Sequence, residues 1–277
     1  MSHGDGRSSA GSITDKGKIM TTKPFIKTAA MAAFLGLTLA ACTTNDNGKH
    51  APSACMGMYS ATLPCADCPG IVTHVSIEPD HSAAVTRRYL DSDNTSETNY
   101  GHWTYQDGRF TVTTVSDDPV PDTEILAFIP LPDNRIALAD DDNQVQENYI
   151  FDKAKSMTAA DFTGTYRQGD MDKGAYGQSL VIVPAANGNV SVSITQTGGK
   201  GKGCDFRGEG HIVNDQIEVK LKTQQPGLDA VMVIRPLPEG NGLNVFSSKF
   251  DQRYDLMYFC GGGGTLAGDY VRQDAQP

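Results

Sequence analysis

The chain has no apolar run approaching the ~20 residues that a membrane-crossing helix needs. Its one sustained apolar stretch, residues 28–41, is shorter and follows Lys23 and Lys27. It carries no H-E-x-x-H, no G-x-S-x-G and no Walker sequence, so the zinc-peptidase, nucleophile-elbow and phosphate-loop signatures of catalysis are missing. Basic charge is scarce: 23 Lys and Arg stand against 33 Asp and Glu, a net charge of −10. That balance argues against nucleic acid as a partner and against electrostatic docking to anionic lipid. No segment reads as a βαβ unit, which argues against a doubly wound nucleotide-binding fold.

Other features fall short of known sites. The glycine-rich stretches 198–203 and 261–264 could cradle an anion on backbone amides, but neither opens a helix nor ends in Gly-Lys-Ser/Thr; they read as hairpin loops. Asp140-Asp141-Asp142-Asn143 lacks the glycine and the closing glutamate of a calcium-binding loop and reads as a solvated acidic turn.

What the chain does have begins with a leader. Basic residues, an apolar run and Leu39-Ala40-Ala41-Cys42 follow one another as in a secretory signal. The last four residues resemble the bacterial lipobox, which implies a diacylglyceryl and fatty acyl (palmitate-type) anchor on Cys42. Met20 supplies a start of ordinary length, so residues 1–19 are set aside as an upstream extension and 20–41 are read as the lipoprotein signal peptide. Thr43 is not the aspartate of inner-membrane retention, and the expected location is the outer membrane. Residues 42–55 are read as a lipidated tether, polar and small.

From residue 56 onward, short alternating segments dominate. Candidate strands are 71–77, 83–90, 99–105, 110–115, 124–130, 135–138 and 145–151, with Asp107-Gly108 suited to a tight hairpin. The composition then shifts between residues 153 and 161, which suits a helical turn at a domain boundary. A second series covers 162–166, 179–184, 190–197, 205–212, 216–222, 230–237, 243–246, 255–260 and 268–271, with Asn187-Gly188 and Asn214-Asp215 as turns. The expectation is an all-β protein of two tandem small antiparallel barrel or meander domains, 56–152 and 162–273, each opening on a tyrosine-bearing strand, around Tyr59 and Tyr166.

Six cysteines in an exported chain point to an oxidising compartment. With Cys42 taken by lipid, Cys204 and Cys260 both fall in the second domain and are expected to pair. Cys65-Ala66-Asp67-Cys68, set between Pro64 and Pro69, allows three chemistries. A redox pair wants its first cysteine at a helix N-terminus, and here strands flank the pair. Soft donors suit Cu(I), with Cys55, Met56 and Met58 upstream as companions and His50, His74 and His81 as further candidates. A local Cys65–Cys68 disulfide is the alternative, and both it and copper stay open.

The run Leu63-Pro64-Cys65-Ala66-Asp67-Cys68-Pro69-Gly70-Ile71, with Arg88-Tyr89-Leu90 and Tyr100-Gly101-His102-Trp103, resembles the N-terminal domain of the NlpE lipoproteins, the copper-resistance and envelope-stress family. The resemblance spans residues 58–115 and extends toward 151. It implies a lipocalin-like barrel on a non-enzymatic outer-membrane lipoprotein, with copper as ligand and an envelope-stress sensor protein as partner. Ala61 stands where that family often has glycine. The second half does not show the oligonucleotide-fold-like domain of enterobacterial members, so signalling through such a domain is not implied.

Overall fold

The computed structural model describes residues 53–90, 95–169 and 174–273. The leader, Cys42, His50 and the tether up to residue 52 lie outside the described residues.

Period-two alternation builds the first eight strands: β1 (Gly57–Leu63), β2 (Ile71–Ile77), β3 (Ser82–Tyr89), β4 (Glu97–Gln106), β5 (Arg109–Val115), β6 (Thr123–Leu131), β7 (Arg135–Ala139) and β8 (Val145–Lys153). Each pairs antiparallel with its sequence neighbour, and Tyr59 and Ser60 of β1 pair with Lys153 and Asp152 of β8 to close the barrel. Residues at i and i+2 share a face, so Val75 with Ile77, Ala83 with Val85 and Phe110 with Val112 all enter one core with Trp103, Phe128, Ile136 and Phe151. A fully buried aromatic ring of this kind contributes about 2–3 kcal/mol. The barrel interior is filled by its own side chains.

A short helix, α1 (Ala159–Phe162), leads into the second barrel. Its strands are β9 (Gly164–Gln168), β10 (Gly177–Pro184), β11 (Val190–Thr197), β12 (Asp205–Val213), β13 (Gln216–Lys220), β14 (Val231–Pro236), β15 (Gly242–Ser247) and β16 (Gly268–Arg272), closed by β16 pairing with β9. Leu180, Ile182, Val192, Ile194, Phe206, Ile217 and Val245 fill it. Two closed, up-and-down, eight-stranded antiparallel barrels in tandem are therefore the architecture, the one used by lipocalins.

Both barrels start the same way. Cys55-Met56-Gly57-Met58-Tyr59 and Phe162-Thr163-Gly164-Thr165-Tyr166 place a glycine at positive φ, +125° and +155°, two residues before a buried tyrosine. The tyrosine hydroxyl turns back and donates to the carbonyl four residues earlier, Cys55 O at 2.7 Å and Phe162 O at 2.8 Å. A cation from the last strand completes each: Lys153 lies over the Tyr59 ring and donates to Ala54 O, and Arg272 lies over Tyr166 and donates to Asp161 O. Leu266-Ala267-Gly268-Asp269-Tyr270 repeats the pattern at β16, with Tyr270 donating to Leu266 O at 2.9 Å.

One expected strand is something else. Residues 255–260 lie in and just after a 3₁₀ helix, Phe250–Met257. Leu256 and Phe259 pack on the second core while Tyr254 and Tyr258 are exposed. A spacing of three suits three residues per turn, and a short apolar run does not separate strand from helix by periodicity.

Candidate functional site

The cysteine loop is the connection between β1 and β2. The register Leu63↔Ile71 brings the two strand ends together, and the intervening residues bulge outward with Pro64, Ala66, Asp67 and Pro69 exposed and both cysteines half-buried. Gly70 lets the loop close. A Cβ there would stand 2.7 Å from Thr62 Cγ2, closer than carbon atoms approach without displacement. Cys65 and Cys68 are joined as a disulfide, and no helix begins at Cys65.

The remaining candidate copper donors are not beside this loop. Cys55 and Met56 precede Gly57, at the far end of β1, and seven residues at ~3.3 Å each separate the ends by about 20 Å. Cys55 is fully buried in the first core and Met56 packs against it, while Met58 is buried near the same end. His74 lies in mid-β2 and His81 stacks on Trp103 at 4.4 Å. The five-donor set Cys55, Met56, Met58, Cys65 and Cys68 is thus not brought together, because an extended strand stands between its two parts. Among the described residues no cluster of three or more His, Cys, Asp or Glu has metal-binding geometry. The residues present fit copper only as the Cys65 and Cys68 pair, and only as thiolates.

Cys204 and Cys260 are joined as a second disulfide, across a separation of 56 residues. It ties the start of β12 to the segment after the 3₁₀ helix, with the Tyr176 hydroxyl 3.3 Å from Cys204 Sγ. Asp140 uses its carboxylate inside its own turn, accepting from the Asp142 and Gln144 amides at 3.0 and 2.7 Å.

A second constellation joins the barrels. The tip of the β12–β13 hairpin presses on the outer face of the first barrel, where Asn214 Nδ2 donates to Thr86 Oγ1 at 3.0 Å and to Ala84 O at 3.2 Å. Thr86 shares a hydrogen with Thr98, its cross-strand partner. Glu218, only 5% exposed, accepts from Thr98, from the Tyr100 hydroxyl at 2.6 Å and from Gln216 Nε2 at 2.8 Å. Burial and the neighbouring Glu218 carboxylate hold the Tyr100 phenol far above its usual range. Burial, with Arg88 nearby, lowers His74 to about 4. At the rim the Ser96 amide donates to Ser248 O, and Lys249 pairs with Asp118.

Sequence reasoning missed this constellation. In β13 the alternation Gln216-Ile217-Glu218-Val219 puts Gln216 and Glu218 on the outside of their barrel, which reads as a solvated face. Asn214-Asp215 registers only as turn chemistry, which their positive φ angles of 44° and 72° bear out.

Fold and site define a class: paired lipocalin-type barrels, the first carrying a disulfide in its β1–β2 loop, with no assembled catalytic group among the described residues. Within that class, residues 59–147, the body of the first barrel, match the NlpE N-terminal domain. No protein of curated function matches the chain. Solved structures similar to it include a putative lipoprotein from Shewanella oneidensis, 24% identical over 35% of this chain and 87% of that one, with a TM-score of 0.28. They also include the Cpx pathway activator NlpE from Escherichia coli, 16% identical over 57% of this chain and 86% of that one, with a TM-score of 0.27.

Proposed function

We propose that the chain is a lipid-anchored lipoprotein of the bacterial outer membrane that acts without catalysis in envelope-stress sensing, its first barrel presenting the Cys65–Cys68 loop to a sensor protein. The observation that carries this reading is the NlpE N-terminal domain match over residues 59–147, which contains that loop. The leader ending at Cys42 supports the anchor, and a disulfide in the loop suits an exported protein.

Copper tolerance enters as a second reading, favoured by the two sulfurs lying together in a loop whose Pro64, Ala66, Asp67 and Pro69 are exposed. A disulfide offers no thiolate, so Cu(I) binding requires the reduced loop. A strain lacking the protein would be complemented with the natural chain, Cys42→Ser or Cys65→Ser/Cys68→Ser, then scored for an envelope-stress reporter and for growth on copper. Sensing at the outer membrane predicts that Cys42→Ser loses the stress response, and an unchanged response overturns the anchor. Copper binding predicts that the purified protein competes with a Cu(I) chelator only after reduction. Equal competition by Cys65→Ser/Cys68→Ser overturns that reading and leaves the loop as a structural tie.

A further inference from the structure

The two barrels do not meet along their whole length. Beside the Asn214 contact lies a cleft of about 700 Å³, a volume typical of small-molecule sites. Its floor is the outer face of the first barrel, where Ser76 of β2 and its cross-strand partner Ala84 of β3 are small. An outward face usually carries long polar side chains; here two adjacent strands are trimmed, and the hollow they leave is bounded on β4 by Tyr100. Met58, Met157 and Ile212 supply apolar walls from the first strand, the connector and the second barrel.

The charges at the cleft are unequal in what they already hold. Lys220 lies over the Tyr100 ring at 5.8 Å, and His211 Nδ1 is bonded to Asn189 at 3.0 Å. Glu78, from the end of β2, and Asp215, from the hairpin tip, have no ion-pair partner among the described residues. Burial raises both carboxyls; Asp80 adds to the effect at Glu78 and Asp161 at Asp215, where Arg88 opposes it. Carboxylates lining a cleft without a direct ion pair are a complement to a positive ligand. The chain's net charge of −10 attracts the same sign from a distance.

We propose that this cleft binds a small cationic amphiphile, its apolar body against Met58, Met157 and Ile212 and its single ammonium group toward Glu78 and Asp215. The ligand then touches both barrels and the connector, so its binding holds the two in one arrangement.

The chain reports on the cleft itself. Its one tryptophan, Trp103, donates Nε1 to the Glu78 carbonyl at 2.8 Å. The full chain carrying Cys42→Ser, free of acyl groups and detergent, would be titrated with octyltrimethylammonium and with octanoate below their micelle concentrations. Calorimetry and Trp103 fluorescence would follow binding. The cation should saturate one site and bind at least about tenfold tighter than the anion, the worth of one favourable charge contact. Glu78→Gln with Asp215→Asn should erase that preference while circular dichroism stays unchanged, and Ser82→Phe, which narrows the cleft, should weaken the cation. Octanoate binding as tightly as the cation, no saturable binding of the cation, or a preference that survives the double substitution would overturn the proposal.

Discussion

Tyr59 shows how much a single hydroxyl can matter when its partner is a buried carbonyl. Its O–H is the hydrogen bond that fixes the approach of residues 53–55 to β1. Tyr59→Phe keeps the ring in the core but strips Cys55 O of that donor, and a loss of about 1–2 kcal/mol in urea unfolding is expected. His74 makes the stability of the protein depend on pH. The folded form keeps it neutral down to about pH 4, whereas the unfolded chain takes up its proton near the ordinary 6.5. The unfolded state therefore binds more protons between those values. The stability this group contributes is full above pH 6.5 and is lost as pH falls toward 4, by up to about 3 kcal/mol. Urea midpoints at pH 7 and pH 4.5 should lie closer together in His74→Gln than in the natural chain. Glu78 and Asp215, whose raised carboxyls act in the opposite sense, are common to both proteins and cancel in the comparison.

At the scale of elements, the two disulfides differ because their loops differ. Cys204–Cys260 closes a separation of 56 residues, and the chain-entropy model assigns it about 4 kcal/mol. Cys65–Cys68 closes a separation of three, worth about 2 kcal/mol in the same model. Cys204→Ser/Cys260→Ser should lower the urea midpoint of the second barrel well beyond what Cys65→Ser/Cys68→Ser does to the first. Equal effects would mean that the long bridge joins segments already held in the unfolded chain. The strands themselves were readable, since alternation at 71–77 and 110–115 places Val75, Ile77, Phe110 and Val112 in the core where they are found. The segment 255–260 was not, since Leu256 and Phe259 at a spacing of three suit a helical turn as well as a buried strand.

The whole molecule is held by polar contacts that differ in weight. Glu218 sits between the barrels with three donors aimed at it. Removing its carboxylate in Glu218→Ala takes a buried charged acceptor from Thr98, Tyr100 and Gln216 at once, at a cost of about 2–4 kcal/mol. Asp118, nearly half exposed, pairs with Lys249 at the rim, and Asp118→Asn should destabilise far less, because solvent screens an exposed pair. Calorimetric unfolding of the two variants would rank them. A larger effect from Asp118→Asn would shift the weight of the interface from its buried centre to its edge.

Local sequence determined the strand pattern, the turns and the cysteine loop, since each depends on neighbours a few residues apart: alternation, positive φ at Gly or Asn, and two cysteines three positions apart. The repeated Gly-x-Tyr openings were on the page as residues, though their shared hydrogen bond to the fourth preceding carbonyl appears only once the chain folds back. Tertiary structure alone decided that Cys55 and Met56 lie a strand's length from Cys65, that Cys65 and Cys68 are joined, and that Asn214, Gln216 and Glu218 face another barrel instead of water. Those outcomes depend on which surfaces meet across about 120 residues of sequence, as with Thr98 and Glu218, and a local pattern of polar residues is the same whether its far side is solvent or protein.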